Sequence, residues 1–257
     1  MKATISAVIL TKNEENTIVD CISSVSWCDE IIVIDDMSSD NTVALAKQQK
    51  ATVYQHSLQE NFSAQRNFGI EQATGEWVLF IDADERITLP LHYEILSTIT
   101  NGLQPYSGYM IKRVDTMWGK KLLHGEMGNT RLLRLAKKSA GKWKGLVHEK
   151  WIITGKIGAF NNTLEHLPHP TVRAFLQEVN HYTDLRSLEL FEKKVKATSF
   201  SIIAYPTAKF LVNYFLKKGF QDGIPGLINA LMMSFHSFLV RGKLWLLWSK
   251  STQQNLS

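Results

Sequence analysis

The first hundred residues alternate short β-branched and aliphatic runs with helical patterns, and no other feature of the chain restricts its fold as much. Ile5 to Leu10, Ile31 to Ile34, Ala51 to Gln55 and Trp77 to Ile81 read as strands. Between them, Glu15 to Val25 carries Ile18, Cys21, Ile22 and Val25 on one helical face, and Asp40 to Gln49 opens with an acid at the positive end of a helix. Phe62 to Ala73 is a third helical pattern, stopped by Gly75. Strand, crossover helix and parallel strand form the βαβ unit, whose helices cover both sheet faces. The expected class is therefore α/β, with a Rossmann-like, mostly parallel sheet flanked by helices.

From Gly108 to Phe160 the pattern changes to short strands and loops rich in Gly, Trp, Lys and His, read as the second half of the same domain. After Pro170, the spacing of Val172, Phe175, Leu176, Val179 and Tyr182 predicts a long helix reaching about Phe200 and broken at Pro206. Two further apolar helical patterns, Thr207 to Lys218 and Pro225 to Lys250, are joined by Gly219 to Gly223. The expected organisation is a catalytic-type domain over 1–170, divided near residue 100, and a helical C-terminal extension over 171–257.

Charge divides along the same boundary. The chain holds 29 Lys and Arg against 24 Asp and Glu, yet from Ser201 onward there are six cations and one acid, Asp222. The first 200 residues are balanced, so the net +5 belongs to the tail. A nucleic-acid binder normally spreads its cations over a folded module, so no nucleic-acid partner is expected. Cys21 and Cys28, the only cysteines, have neither a zinc-type spacing nor a disulfide framework around them. On one helix their α-carbons would lie roughly 10 Å apart, too far for a disulfide. A reduced, cytoplasmic compartment follows, and Ile5 to Leu10 reads as a strand rather than a signal peptide.

Three polar clusters follow the strands: Thr11-Lys12-Asn13-Glu14, Asp35-Asp36 and Asp82-Ala83-Asp84. In an open α/β sheet the carboxyl ends of the strands line the ligand crevice. One acidic pair there reads equally well as a helix cap, but three clusters on one edge point to a binding site. No glycine-rich phosphate loop follows the first strand. Acids would repel a phosphate ligand unless a hard cation sat between them, and Mg²⁺ is held by one or two carboxylates plus substrate phosphates. A nucleoside diphosphate bearing a further group fits that chemistry.

Thr11-Lys12-Asn13-Glu14, Ile34-Asp35-Asp36 with Ser38 and Asp40-x-Thr42, Ala64-x-Arg66-Asn67-x-Gly69, and Gly75 through Phe80-x-Asp82-Ala83-Asp84 together resemble the nucleotide-sugar half of the family 2 inverting glycosyltransferases of GT-A fold. The match spans about residues 4 to 86. More loosely, Arg131-Leu132-x-Arg134, Trp143 and Gly145-x-Val147-His148-Glu149 resemble the subgroup that adds a single sugar, often glucose, to the lipopolysaccharide inner core. The resemblance implies a nucleotide-sugar site of Thr11, Asn13, Glu14, Asp35, Asp36, Arg66 and Asp82, with Thr11 and Asp35 on the nucleobase. It implies a divalent metal, Mg²⁺ or Mn²⁺, held by Asp84 and approached by Asp82. The donor is expected to be UDP-linked and the acceptor a glycolipid or oligosaccharide met by residues 101–170. Asp36 reads equally as a helix cap, and Arg66 as a surface residue paired with Glu71.

Inverting transfer needs a base opposite the leaving diphosphate. Glu149 takes the position of the family's acceptor-side acid, although His148 stands beside it where paired acids are more usual and is the alternative base or metal-facing group. His124, His166 and His169 read as ordinary polar residues. The Gln-x-x-Arg-Trp segment of processive members is absent, so single transfer is expected. Transfer to a polyprenyl phosphate and a catalytically inactive nucleotide-sugar binder are the rival readings.

In the tail, Gly223 to Val240 lacks formal charge, and Asn229, His236, Lys243 and Lys250 recur every seven positions beside Leu231, Phe235, Phe238, Leu244, Trp245 and Trp248. This reads as a helix lying in an anionic membrane surface with its polar stripe at the headgroups, giving a peripheral location on the inner face of the cytoplasmic membrane. Packing on the domain or in a dimer is the other reading of the same pattern.

Overall fold

The structure is a computed structural model, and it describes residues 3–58, 61–100, 105–145, 149–168 and 170–254. His148 and His169 lie outside the described residues.

The four expected strands form as β1 (Ile5–Thr11), β2 (Glu30–Asp35), β3 (Thr52–Gln55) and β4 (Trp77–Asp82). The helices between them are α1 (Ile18–Ser24), α2 (Thr42–Gln48) and α3 (Phe62–Gln72). All three pairings are parallel, in the order β3-β2-β1-β4. Every residue of β1 is buried, which is why it reads as a continuous apolar run rather than an alternating one. Ala7 and Ile9 share a core with Ile18, Cys21 and Ile22 of α1, while Val8 and Leu10 share another with Ile70 and Ala73. Each fully buried Ile or Val contributes about 1.5–3 kcal/mol. Helix α3 approaches so closely that a Cβ on Gly69 would lie 2.6 Å from Val8 Cγ1.

Past β4 the sheet changes character. It continues through β5 (Glu85–Ile87), α4 (Leu89–Thr100), β6 (Tyr106–Met117), β7 (Lys120–Leu122), β8 (Thr130–Lys137) and β11 (Lys156–His166). The strand order runs β4-β8-β6-β11-β5, with antiparallel pairing at β4–β8, β8–β6 and β11–β5. A separate antiparallel ribbon is made of β9 (Gly141–Lys144) and β10 (Lys150–Ile153). The α/β class and helix-flanked sheet match expectation, but β6 and β11 are longer than the short strands read from residues 108–160. Asp115 explains the difference in β6: it is a charged residue buried inside the strand, so the apolar–polar alternation fails there.

The chain divides into two compact units, Met1–Arg113 with Thr130–His166, and Val114–Asn129 with Leu167–Ser257. The boundary expected at residue 170 falls near this division, whereas Val114–Asn129, read with the first domain, groups with the helices. That second unit contains α5 (Val172–Glu192), α6 (Ser199–Leu211) and α7 (Gly223–Gln254), with a π-helical turn at Val212–Leu216 and a 3-10 turn at Gly219–Asp222.

Two expectations about the helices are corrected. The break lies at 193–198, not at Pro206, because caps set it: Lys194 takes φ 58°, and Thr198 and Ser201 exchange the reciprocal bonds of a capping box. Pro206 sits inside α6, and its carbonyl accepts from Ser234 Oγ at 2.8 Å. Asn229 and Lys243 of the polar stripe of α7 also turn inward while Lys250 is exposed, since a seven-residue period defines a helix face without saying what it meets. Asn229 is buried, and Lys243 donates to the Asn180 carbonyl, Asn180 Oδ1 and Thr183 Oγ1 on α5 at 2.8–2.9 Å and pairs with Asp184 at 2.7 Å.

Candidate active site

Parallel pairing brings three of the polar clusters to one edge, with Thr11 level with Asp35 and Leu10 level with Asp82. At the β1–β2 end, Thr11 Oγ1 and Asp35 Oδ1 are buried with no hydrogen-bond partner. The other Asp35 oxygen accepts from the Ser38 amide at 3.0 Å. An unpaired buried polar atom costs about 1–3 kcal/mol, so two on adjacent strand ends are what a ligand with matching donors would satisfy.

The neighbouring residues build the loops around that opening. Asn13 takes φ 54° and its Oδ1 accepts from the Ser39 amide at 2.8 Å, so the β1 and β2 loops are tied together. Glu14 accepts from Thr17 Oγ1, and burial pushes its carboxyl above the ordinary range. Asp36 is engaged by Lys12 Nζ at 2.7 Å and by the Leu58 amide at 2.7 Å. Asn13, Glu14 and Asp36 thus support the loops, while Thr11 and Asp35 present the unsatisfied atoms.

Arg66 is no surface residue paired with Glu71. It is buried on α3, with Nε donating to Glu149 Oε1 at 2.8 Å and Nη2 to Asp82 Oδ1 at 3.1 Å. Its guanidinium stacks over Trp143 at 4.6 Å. The adjacent Asn67 fixes that ring: its Nδ2 donates to the Trp143 carbonyl at 3.0 Å and its Oδ1 accepts from the Trp143 amide at 2.9 Å. The Arg-Asn pair therefore holds the β9–β10 ribbon, and with it Glu149, against α3.

Asp82 is shared between two guanidiniums. Arg134 Nη2 donates to Asp82 Oδ2 at 2.5 Å and to Glu85 Oε1 at 2.6 Å, while Glu85 Oε2 accepts from the Asp82 amide at 2.9 Å. Burial alone would raise the Asp82 carboxyl, but Arg134 and Arg66 override it and hold it well below the carboxylate range. For Glu85 burial prevails and the carboxyl is pushed up.

Asp84 stands apart from this network. Its Oδ2 lies 3.1 Å from Nε2 of His166, which the β11–β5 pairing carries to the Asp-Ala-Asp loop by setting His166 level with Glu85. The two side chains are 29% and 12% exposed, so the pair is open to solvent on one side. Arg86 braces the loop through the carbonyls of Ala83, Glu85 and Thr17. No group of three or more His, Cys, Asp or Glu able to hold a metal occurs among the described residues. A carboxylate and an imidazole side by side still fit a divalent cation whose other ligands are diphosphate oxygens and water. Asp82, with both oxygens on guanidiniums, is poorly placed to serve as a second carboxylate ligand.

Sequence reasoning passed over three of these groups. His166 lies 82 residues from its partner, Glu85 follows the acidic motif with no role of its own, and Arg134 was visible only as part of a resemblance.

The parallel half-sheet, with acids and unsatisfied polar atoms at its carboxyl edge, is continued by an antiparallel half that supplies Arg134 and His166, which gives an α/β sheet with a ligand-type crevice at its strand ends. The chain belongs to glycosyl transferase family 2, whose family model matches residues 6–151. It is 26% identical over 251 residues to the lipopolysaccharide core biosynthesis glycosyltransferase LpsC of Rhizobium meliloti (strain 1021), covering 95% of this chain and 93% of that one. Glucosyl-3-phosphoglycerate synthase from Mycobacterium tuberculosis, solved with Mn²⁺, uridine diphosphate and glucosyl-3-phosphoglycerate, is 26% identical over 44% of each chain, with a TM-score of 0.37. S. aureus TarS 1–349 is 14% identical over 91% of this chain and 81% of that one, with a TM-score of 0.48.

Proposed function

We propose that the chain transfers a single sugar, glucose, from a UDP-linked donor to a glycolipid acceptor of the lipopolysaccharide inner core, with inversion and with a divalent metal. The observation that carries the reading is the Asp82–Arg66–Glu149 bridge, which sets a carboxylate beside the strand ends where Thr11 and Asp35 present unpaired polar atoms. In this reading Asp35 and Thr11 take the nucleobase, and Asp84 and His166 hold the metal. Bound there, a divalent cation supplies positive charge to the departing diphosphate.

The rest is done by side chains of this chain. Arg66 and Arg134 keep Asp82 ionised and fix the Asp-Ala-Asp loop. Glu149 spends Oε1 on Arg66, leaving Oε2 for the proton of the acceptor hydroxyl. As that oxygen bonds to the anomeric carbon, the bond from carbon to the diphosphate oxygen breaks, and the nucleoside diphosphate leaves on the opposite face. The likeness to LpsC along nearly the whole of both chains supports an acceptor in the lipopolysaccharide core, and the single-transfer pattern of the sequence supports addition of one sugar.

Asp84→Asn is expected to abolish the thermal stabilisation that UDP-glucose with Mn²⁺ confers on the wild type, about 2.7 kcal/mol at a hundredfold excess over Kd. Its melting temperature without ligand should be unchanged, because the side chain is partly open and, among the described residues, bonded only to His166. Scanning calorimetry with and without metal checks this. Undiminished metal-dependent stabilisation in the variant removes Asp84 from the metal site. A panel of UDP- and GDP-sugars in the same assay identifies the donor, and turnover of the one that binds separates an enzyme from an inactive binder.

A further inference from the structure

Helix α6 contains one charged residue in 13, Lys209, yet buries none of its residues. Phe200, Ile203, Leu216 and Ile224 are 80%, 70%, 75% and 73% exposed. Ser199, Phe200, Ile203, Ala204, Thr207, Ala208 and Leu211 recur on one side of α6 and line a shallow groove of ≈ 540 Å³. Beyond it, Phe210 stacks on Tyr214, which meets Phe215 and Phe220 edge-on around the π-helical turn. One side of α6 packs on α7 through half-buried residues such as Ile202 and Pro206, but nothing among the described residues buries Phe200 or Ile203, so the apolar composition of that outer face is explained by something outside it.

Charge identifies the occupant. Lys217 and Lys218 are exposed directly beside Leu216, Lys250 is exposed on α7, and Arg241 lies over the ring of Tyr205 at 4.0 Å. The only acid from Ser199 to the end, Asp222, is buried and receives the amide and ring nitrogen of His124 at 2.9 and 2.8 Å. A second copy of the chain meeting this face symmetrically would set Lys217 and Lys218 against their copies, since Glu126, the acid beside α6, is already paired with Lys209 at 2.7 Å. A surface that is apolar inside and anionic at its edge complements both features.

We propose that the outer face of α6 and the adjoining turn at Val212–Leu216 lie in the surface of an anionic lipid bilayer, with Lys217 and Lys218 at the headgroups. This differs from the sequence expectation in the helix and the residues involved. Lys243 of the α7 polar stripe is spent on α5, and apolar side chains, led by Phe200, Ile203 and Leu216, enter the bilayer boundary. The stretch Gly219–Ser251 is long and apolar enough to cross a membrane by length and composition. Asn229 is instead buried and Lys243 is bonded to α5, which favours a helix lying on the surface. The proposal does not depend on the transfer reaction, since lipid binding is read without turnover.

The test uses the purified full chain, sedimented with vesicles of phosphatidylcholine alone or mixed with phosphatidylglycerol, at low and at roughly 0.5 M salt. The wild type should bind the mixed vesicles and be largely released by salt. Phe200→Gln/Ile203→Gln/Leu216→Gln keeps charge and helix propensity and should weaken that binding about tenfold or more, with unchanged circular dichroism. Lys217→Gln/Lys218→Gln should weaken it roughly fivefold per lysine on mixed vesicles only. Binding of the triple variant at wild-type strength, or no binding by the wild type, overturns the proposal. So does a concentration-dependent dimer in light scattering that the triple variant dissolves, which assigns the face to a second copy. Wild-type protein that leaves the vesicles only in detergent assigns α7 to a spanning helix instead.

Discussion

Glu149→Gln is expected to slow sugar transfer about 10²- to 10⁴-fold while leaving binding of the sugar donor intact. The substitution is nearly isosteric, and Gln Oε1 still accepts from Arg66 Nε, so the β9–β10 ribbon should stay in place. Arg66 also keeps Asp82 at 3.1 Å, which leaves the buried guanidinium with a counterion. What is lost is the carboxylate that takes the acceptor proton. Single-turnover transfer measured beside calorimetric titration of the donor separates the two effects. A variant that transfers at nearly the wild-type rate excludes Glu149 as the base and moves the role to His148. Loss of donor binding together with transfer would instead make the Arg66–Glu149 bridge part of the nucleotide site.

The second large effect is on stability. Arg134→Met should cost about 3–5 kcal/mol, because it strands the fully buried Glu85 and leaves Asp82 with Arg66 alone. Arg113, 3.9 Å from Glu85 against 2.6 Å for Arg134, makes a longer ion pair and offsets only part of the loss. For a chain of this size the loss corresponds to a fall of roughly 6–20 °C in Tm. Adding Glu85→Gln to Arg134→Met should recover much of it, since the stranded charge is then gone while the bond from the Asp82 amide is kept. Thermal unfolding of the wild type, both single variants and the double variant forms the cycle. A negligible loss in the single variant, or strict additivity in the double, would show that the cluster is not the coupled unit described above.

Both predictions rest on contacts between residues far apart in the chain, and this distance separates what could be read early from what could not. Strands β1 to β4 and the three helices between them were legible because each is encoded by the periodicity of a few consecutive residues. The binding edge was legible for a related reason: parallel strands place their carboxyl ends together, so polar residues at Thr11, Asp35 and Asp82 must converge once the βαβ pattern is accepted.

Sequence alone determined the class of fold, the edge that carries the site, the family resemblance and the concentration of positive charge in the last quarter of the chain. Tertiary structure decided the rest. Antiparallel pairing of β8 with β4 and of β11 with β5 delivered Arg134 to Asp82 across 52 residues and His166 to Asp84 across 82. Burial turned Arg66 from a helix-surface candidate into the link between Asp82 and Glu149. In the tail, the seven-residue period showed that α7 has a polar face, yet only packing against α5 determined that its Lys243 points inward. Local periodicity specifies the face of an element; its partner is set by non-local pairing, which no short window of sequence contains.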